Sequence, residues 1–138
     1  MKKILTLASL SLIAHASIAQ ADTHSVYTQK NSPKLSVNTS LSKSIIKEIK
    51  SGKAYLIDVR TPEEYASKHL KYSKNINIRS EKFAESIKTL AKDKKIYLYC
   101  RSGNRSGKAA DTLQSFGYKY GINIGGLDSL VANGLPVE

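Results

Sequence analysis

The sequence predicts an α/β domain with a parallel sheet that is covered by helices on both faces. Short, almost wholly apolar runs recur along the chain, at residues 55–59 and 96–99 above all, and such runs are typical of strands buried on both faces. Between these runs, apolar residues recur at helical spacing. Strands that alternate with helices favour parallel pairing, and ligands then bind beyond the carboxyl ends of the strands.

The predicted elements alternate from residue 41 to the end of the chain, with no internal repeat and no linker. Thr61, Pro62 and Glu64 give the sharpest boundary, because threonine caps a helix, proline suits its first turn and glutamate completes a capping box. In chain order the predicted elements are helix 41–49, strand 55–59, a helix from 62, strand 75–78, helix 83–90, strand 96–99, a helix from near 106 to 116, strand 120–124 and a short last helix.

The N-terminal segment has the layout of a secretory signal peptide. A basic start is followed by an apolar run over 4–13 and by small residues that lead to a cleavage site after Ala21. The run is shorter than the roughly 20 apolar residues that span a bilayer. We therefore expect a periplasmic or secreted protein with no stable membrane insertion after cleavage. The alternative is an uncleaved N-terminal anchor. The predicted organisation is a signal peptide at 1–21, a flexible leader at 22–34 and one domain at 35–138.

The composition is basic and includes one cysteine, Cys100. Loss of Lys2 and Lys3 with the signal peptide lowers the formal net charge from +11 to +9. A basic surface suits small anions, an acidic membrane face or nucleic acid, and export argues against nucleic acid as a partner. The alternative is a lysine-rich, solvated surface that keeps the protein soluble. A lone cysteine excludes an intramolecular disulfide and is a candidate reactive thiol. Because no large apolar stripe stands out, we expect a monomer.

The loop after strand 96–99 combines the residues that point to chemistry. It reads Cys-Arg-Ser-Gly-Asn-Arg-Ser-Gly from residue 100. Gly103 and Asn104 tolerate positive backbone angles, so the loop can curl and turn its amide hydrogens inward. The helix that follows adds the positive end of its dipole at the same point. Arg101 and Arg105 add two positive charges.

Each of these features stabilises a thiolate at Cys100. A cysteine pKa of about 8.5 falls at a helix N-terminus and beside cations. We therefore expect Cys100 to be ionised and nucleophilic at neutral pH. The alternative is a small, inert, buried residue at the end of a core strand. The neighbouring arginines and loop glycine favour the reactive interpretation.

Three ordered blocks of residues carry a resemblance to a known family. They are 56–65 with His69, 96–106, and 125–127 with 134–138. In these blocks the chain resembles the single-domain exported sulfurtransferases of the rhodanese family. The resemblance covers about 35–138. It implies a rhodanese-like α/β fold with a five-stranded parallel sheet flanked by helices on both faces, and it places Cys100 at the base of a cradle-shaped loop.

The resemblance also implies a sulfur transfer in two steps. The Cys100 thiolate takes the outer sulfur of thiosulfate or a similar small anionic donor and releases sulfite. A thiol or cyanide acceptor then removes that sulfur from the Cys100 persulfide. No metal and no organic cofactor is implied. The implied substrate-binding residues are Arg101, Ser102, Gly103, Asn104 and Arg105.

Asp58 and Arg60 match family positions near the active edge, where we expect them to support the site. Asp58 is expected to accept hydrogen bonds from the side of the loop, and Arg60 to pair with a nearby carboxylate such as Glu64. The alternative is a structural ion pair between Asp58 and Arg60 themselves.

Three other functions use a related cysteine. Phosphatases and arsenate reductases of a related fold have a loop one residue longer, with an arginine six positions after the cysteine, where this chain has Ser106. A non-catalytic sulfur carrier would hold the same persulfide, so this alternative stays open. A thiol-redox protein usually has a resolving cysteine in a Cys-x-x-Cys motif, which this sequence lacks.

Overall fold

The computed structural model describes residues 33–138. The predicted signal peptide and nearly all of the predicted leader lie outside the described residues. The described part of the chain contains five helices and four strands. They are α1 (Thr39–Lys50), β1 (Ala54–Asp58), α2 (Pro62–Ser67), β2 (Lys74–Asn75), α3 (Phe83–Lys88), β3 (Lys95–Cys100), α4 (Asn104–Ser115), β4 (Gly121–Gly126) and α5 (Leu127–Ala132).

The four strands form one parallel sheet in the order β2–β1–β3–β4. The prediction of five strands is wrong for the described residues. The segment before α1 lies beside β4, where the Leu35 N–H donates to the Asn123 carbonyl at 2.8 Å. Pro33, two residues earlier, has no N–H to continue a ladder. This segment therefore borders the sheet without forming a strand.

Alternate residues of the central strands point to opposite faces of the sheet, which gives the domain two apolar clusters. Ile57 and Leu98 pack with α3 and α4, whereas Leu56 and Tyr97 pack with α1 and α5. All four side chains are buried. The prediction of helices on both faces is confirmed, and burial on both faces explains why the strands read as continuous apolar runs.

Two helices begin at side-chain caps that the sequence dictates. The Asn38 side chain accepts the Leu41 N–H at 2.9 Å at the start of α1. At the start of α2, the Thr61 hydroxyl accepts the Glu64 N–H at 3.3 Å, and the Glu64 carboxylate accepts the Thr61 N–H at 3.1 Å. The predicted capping box is confirmed, and it fixes Glu64 close to the end of β1.

The parallel strands bring their carboxyl ends to one edge of the sheet, here called the carboxyl edge. β3 ends there at Cys100, and α4 begins at Asn104, slightly earlier than predicted. β4 continues to Gly126, beyond its predicted end, and pairs with the last residues of β3. The cysteine loop therefore lies between two strand ends.

Within residues 33–138, the structure has no helix with the length and apolar character that a membrane span requires.

Candidate active site

The loop between β3 and α4 closes tightly because two glycines allow it. Gly103, the residue before α4, has a backbone φ of +99°, which residues with a side chain rarely adopt. At the end of β4, a Cβ added to Gly126 would lie 2.4 Å from the Arg101 carbonyl oxygen. Only glycine therefore lets the strand and the loop approach this closely, and the loop is held against β4.

The Cys100 sulfur lies inside this loop with hydrogen-bond donors around it. The Gly103 N–H donates to Sγ at 3.1 Å, and the Ser106 hydroxyl lies 3.5 Å from Sγ. Cys100 is 0% exposed and belongs to the apolar cluster beneath α3 and α4. The residue is thus buried, as the inert interpretation expects. Donors nevertheless face its sulfur, as the reactive interpretation expects.

These donors set the protonation of Cys100. Burial is the largest single influence on the pKa of the thiol and raises it, because a buried anion loses its water. The Ser106 hydroxyl and the backbone N–H groups of Ser106, Ser102 and Gly103 act in the opposite direction. Together they hold the pKa of Cys100 below its ordinary value. The site therefore favours the thiolate, which is the nucleophilic form.

Asn123 of β4 holds the loop in place, and the sequence-based prediction does not include it. Its side-chain oxygen accepts the Ser106 hydroxyl at 2.7 Å and the Gly125 N–H at 3.1 Å, and its side-chain nitrogen donates to the Gly103 carbonyl at 3.0 Å. Ser106 has one hydroxyl hydrogen, so it donates either to Asn123 or to Cys100. A polar residue between two isoleucines of a buried strand is the signal that could have identified Asn123.

Arg105 is held by a carboxylate rather than left free to bind a ligand. Its two terminal nitrogens donate to the two oxygens of Glu64 at 2.7 and 2.8 Å, which is a bidentate pair. The Arg105 guanidinium lowers the pKa of Glu64 to about 2. The pKa of Arg105 is raised, first by Glu64 and also by the sulfur of Cys100. Arg105 therefore connects α2 to the cysteine loop and keeps its positive charge near the sulfur.

The expected pairing of Arg60 with Glu64 is wrong. Arg60 Nη2 instead lies 2.6 Å from Asp58 Oδ2, and its Nε lies 3.0 Å from both carboxylate oxygens. Asp58 also accepts the Arg60 backbone N–H at 2.9 Å. The hydrogen bonds that Asp58 was expected to accept from the side of the Cys100 loop therefore come from Arg60 instead. The pairing is local, because one residue separates the two partners, while Glu64 is engaged by Arg105. The alternative of a structural ion pair fits this geometry.

The remaining predicted binding residues lie at the surface of the site. Ser102 and Asn104 are exposed, as is Arg101, which lines an open mouth of about 300 Å³ at the carboxyl edge. Cations and carboxylates share this mouth. Its charged lining residues are Arg60, Lys68, Arg101, Glu64 and Asp128. The structure thus separates an inner group, Gly103 with its N–H on the sulfur, from an outer group of side chains.

Comparison with known proteins gives a consistent result. The family model described as a Rhodanese-like domain matches residues 41–133. The thiosulfate sulfurtransferase PspE of Escherichia coli is 38% identical over 76 residues, which are 54% of this chain and 71% of PspE. A tRNA uridine(34) hydroxylase of Buchnera aphidicola is 36% identical over 96 residues, which are 62% of this chain and 29% of the hydroxylase. Several curated relatives are longer, and this chain spans half of their length or less.

The fold also matches a solved structure, described as rhodanese with anions from Escherichia coli. The TM-score is 0.52 at 31% sequence identity, and the match covers 62% of this chain and 96% of that chain. Both the sequence and the arrangement of elements therefore point to the same family.

Proposed function

We propose that this chain, which belongs to the rhodanese-like domain family, is a thiosulfate sulfurtransferase that carries sulfur as a persulfide on Cys100. The observation that carries this proposal is the donor set around the sulfur. The Gly103 N–H lies 3.1 Å from Sγ, and the neighbouring N–H and O–H groups lower the pKa of the thiol. A thiolate is the form of cysteine that attacks a sulfur atom.

The reaction proceeds in two displacements at sulfur. In the first, the Cys100 thiolate forms a bond to the outer sulfur of thiosulfate, the sulfur–sulfur bond of the donor breaks, and its electron pair leaves with sulfite. In the second, a thiolate or cyanide attacks the terminal sulfur of the persulfide, and Cys100 leaves as the thiolate. Neither step needs an external oxidant or reductant. Covalent catalysis of this kind divides one transfer into two easier ones.

The loop donors suit the persulfide as well as the thiolate. After the first step the negative charge lies on the terminal sulfur, one bond further from the backbone of Cys100. N–H groups held in place before the reaction stabilise such a charge without reorganisation. The Gly103 N–H already faces Sγ, and the Ser106 hydroxyl can turn to the sulfur when it releases Asn123, so we expect the same cradle to serve both forms of the cysteine.

The mouth beside the Cys100 loop suits a small anionic donor. Arg101 and Lys68 line it and are exposed, so their positive charges can attract the sulfonate end of thiosulfate. A structural relative is described as a rhodanese with anions, and this agrees with an anionic ligand for this chain. Because Cys100 is fully covered, groups around the sulfur must move when the donor reaches it.

Intact-mass spectrometry after thiosulfate treatment tests the proposal. We expect one added sulfur atom, about 32 Da, on the untreated mass. Cyanide should remove the added mass and form thiocyanate. The control is Cys100→Ser, which keeps the size of the side chain and removes the sulfur. Thiocyanate formation by this variant at the rate of the natural chain would refute the assignment of Cys100 as the nucleophile.

Turnover separates an enzyme from a sulfur carrier. An enzyme forms many equivalents of thiocyanate when thiosulfate and cyanide are supplied together, whereas a carrier loads once and then stops. The hydroxylase relative shows that related sequences occur in proteins with other activities, so this measurement matters for the proposed reaction. Formation of one equivalent or less would assign the carrier function.

The phosphatase alternative has weaker support from the geometry. Arg105 is the arginine nearest in sequence to the position that a phosphate loop uses, and Glu64 holds both of its terminal nitrogens. An arginine engaged in this way is not free to bind two oxygens of a phosphoryl group. Release of phosphate from an aryl phosphate, absent in Cys100→Ser, would reverse this conclusion.

We also propose that the domain at 35–138 is exported and acts as a monomer. The signal-peptide pattern at 1–21 supports export. Mass spectrometry of the mature N-terminus should find cleavage after Ala21, and size-exclusion chromatography with light scattering should give the mass of one chain. An uncleaved N-terminus, or a dimer mass, would contradict the corresponding part of this proposal.

A further inference from the structure

The amino edge of the sheet, opposite the Cys100 loop, is rich in lysine. Because the strands are parallel, the residues that precede them meet at this edge. Lys53 directly precedes β1, Lys94 directly precedes β3, and Lys119 lies two residues before β4. The lysine surface is defined here by seven residues, which are Lys50, Lys53, Lys71, Lys74, Lys92, Lys94 and Lys119.

Little negative charge offsets this surface. The seven lysines lie in the chain segments 50–53, 71–74, 92–94 and 117–121, and Asp93 is the only carboxylate in these segments. The neighbouring Glu48 is already bound by Lys95 and by the Tyr97 hydroxyl, at 2.7 Å each. Within residues 33–138, none of the seven ammonium groups forms an ion pair with a carboxylate. Lys53 contributes to the lowered pKa of Glu48, and the charge of the other six lysines acts outward.

Tyrosine rings lie among the lysines. The Nζ atoms of Lys74 and Lys94 lie 5.7 and 5.3 Å from the centroid of the Tyr55 ring. Tyr72 and Tyr120 are 43% and 48% exposed. A cleft of about 540 Å³ opens between Lys50, Lys74, Lys94 and the rings of Tyr55 and Tyr72. The edge thus combines positive charge on flexible side chains with amphipathic rings.

The kind of cation distinguishes this edge from the carboxyl edge. The sequence has four arginines, and three of them, Arg60, Arg101 and Arg105, lie around the Cys100 loop. The chain segments that contain the seven lysines, 50–53, 71–74, 92–94 and 117–121, include no arginine. Arginine binds an individual oxyanion through directed pairs of bonds, whereas lysine is a compact point charge on a flexible stem. Many separate point charges suit a broad anionic surface better than one defined ligand.

We propose that the lysine surface docks this protein peripherally on an anionic phospholipid bilayer. Charge complementarity supplies the attraction, because each lysine near an anionic membrane contributes to binding. Exposed tyrosines suit the same partner, since amphipathic rings collect at the level of the headgroups. A nucleic-acid duplex or an acidic protein would match the charge but would leave the two exposed rings without an apolar boundary to enter.

This docking directs the active site away from the membrane. The six residues of β3 connect the lysine surface to Cys100 and span about 20 Å at the usual rise of a strand. The mouth at the carboxyl edge then faces the solvent while the amino edge contacts lipid. Docking and sulfur transfer therefore use different residues, and each can be altered without the other.

Vesicle co-sedimentation tests this inference with the full chain. Binding is compared between two kinds of vesicle. One contains phosphatidylcholine with about 30% of the anionic lipid phosphatidylglycerol, and the other contains phosphatidylcholine alone. We expect binding to the anionic vesicles at low salt and its loss at about 0.5 M salt, where screening shortens the range of the charges. Binding to pure phosphatidylcholine should be much weaker.

Two charge-matched variants locate the binding surface. Lys53→Glu/Lys119→Glu reverses two exposed charges of the lysine surface, whereas Lys43→Glu/Lys82→Glu reverses two exposed charges elsewhere. We expect the first variant to bind anionic vesicles at least about tenfold more weakly than the second, from the contribution of each lysine near the membrane. Tyr120→Ser should weaken binding without a change in net charge. Thiosulfate loading of Cys100 should be unchanged in all three variants, which also shows that they fold.

Several outcomes would overturn the inference. Equal binding to both kinds of vesicle would show that apolar residues cause the binding. An equal loss of vesicle binding in the two double variants would show that net charge, and not the lysine surface, causes it. Failure of the full chain to bind anionic vesicles at low salt would also exclude a membrane partner. Tighter binding to a DNA duplex or to polyglutamate than to the vesicles would identify a different kind of polyanion as the ligand.

Discussion

Two arginine–carboxylate pairs lie beside the Cys100 loop, and they differ in burial rather than in bond length. The shortest contact is 2.6 Å in the Asp58–Arg60 pair and 2.7 Å in the Glu64–Arg105 pair. The side chains of Asp58 and Arg60 are 0% and 6% exposed, whereas those of Glu64 and Arg105 are 31% and 20% exposed. Water reaches the second pair and is excluded from the first.

This difference assigns the two pairs different roles. Removing one partner of a buried pair leaves a charge that neither water nor protein compensates, and this strongly destabilises a fold. Arg60 also donates to the Lys68 carbonyl at 2.7 Å, so the buried pair fixes the chain after α2. Opening the partly exposed pair is far less unfavourable. Because Arg105 acts on the Cys100 sulfur, the exposed pair instead adjusts the charge of the site.

The largest effect that follows from this comparison is on stability. Asp58→Asn keeps the shape of the side chain but leaves the buried Arg60 guanidinium without its counter-charge. We expect the free energy of unfolding, measured by denaturant titration, to fall by about 3–5 kcal/mol. The double variant Asp58→Leu/Arg60→Met removes both charges and should recover part of this loss. If the free energy of unfolding of Asp58→Asn falls by less than about 1 kcal/mol, the Asp58–Arg60 pair contributes no more to stability than a partly exposed pair such as Glu64–Arg105.

A smaller effect, on reactivity, is expected from Arg105→Gln. Loss of the positive charge near Sγ should raise the pKa of Cys100, because the thiolate loses a favourable interaction. Loading by thiosulfate at pH 6 should slow by about three- to tenfold, as expected for one charge interaction at partial burial. The pH dependence of alkylation by iodoacetamide measures the pKa directly. If the pH dependence of alkylation is unchanged in Arg105→Gln, Arg105 holds Glu64 in place but does not lower the pKa of Cys100.

Glu64→Gln should act on the same thiol in the opposite direction. The variant removes the negative charge that offsets Arg105, so the pKa of Cys100 should fall and alkylation at pH 6 should accelerate. Stability should decrease by about 1 kcal/mol or less, because the lost ion pair is partly exposed and glutamine can still complete the capping box. Glu63→Gln, which removes the exposed neighbouring carboxylate of α2, is the matched control. A higher pKa of Cys100 in Glu64→Gln would contradict the proposed role of the pair.

The smallest effect is on the acid stability of the natural chain. Arg105 and then the Thr61 N–H hold the pKa of Glu64 at about 2, below the ordinary 4.5. A depressed carboxyl pKa contributes stability that is fully present above about pH 4.5 and is lost as the pH falls through about 2. Glu64→Gln should therefore show a shallower loss of stability than the natural chain between pH 4.5 and 2. Because solvent screens this pair, the difference should be about 1 kcal/mol or less. If the acid-unfolding curves of Glu64→Gln and the natural chain run parallel, Glu64 does not contribute to the pH dependence of stability.

The sequence determined the features that depend on neighbouring residues. The buried strands follow from short apolar runs, the start of α2 from Thr61, Pro62 and Glu64, and the cysteine loop from Gly103 between a strand and a helix. Each of these patterns acts within about one turn of helix or one strand, so local physical chemistry suffices to read it. The resemblance to the rhodanese family depends on the same local blocks.

The tertiary structure alone decided which distant groups meet. Glu64 binds Arg105, 41 positions away, rather than Arg60, and Asn123 holds Ser106 from 17 positions away. The number of strands was decided in the same way, because the segment at Leu35 lies beside β4 without a ladder of bonds. Side chains of one charge or polarity have several suitable partners in a sequence. Only the packing of helices against the sheet selects one of them, since it fixes which groups lie within hydrogen-bond distance.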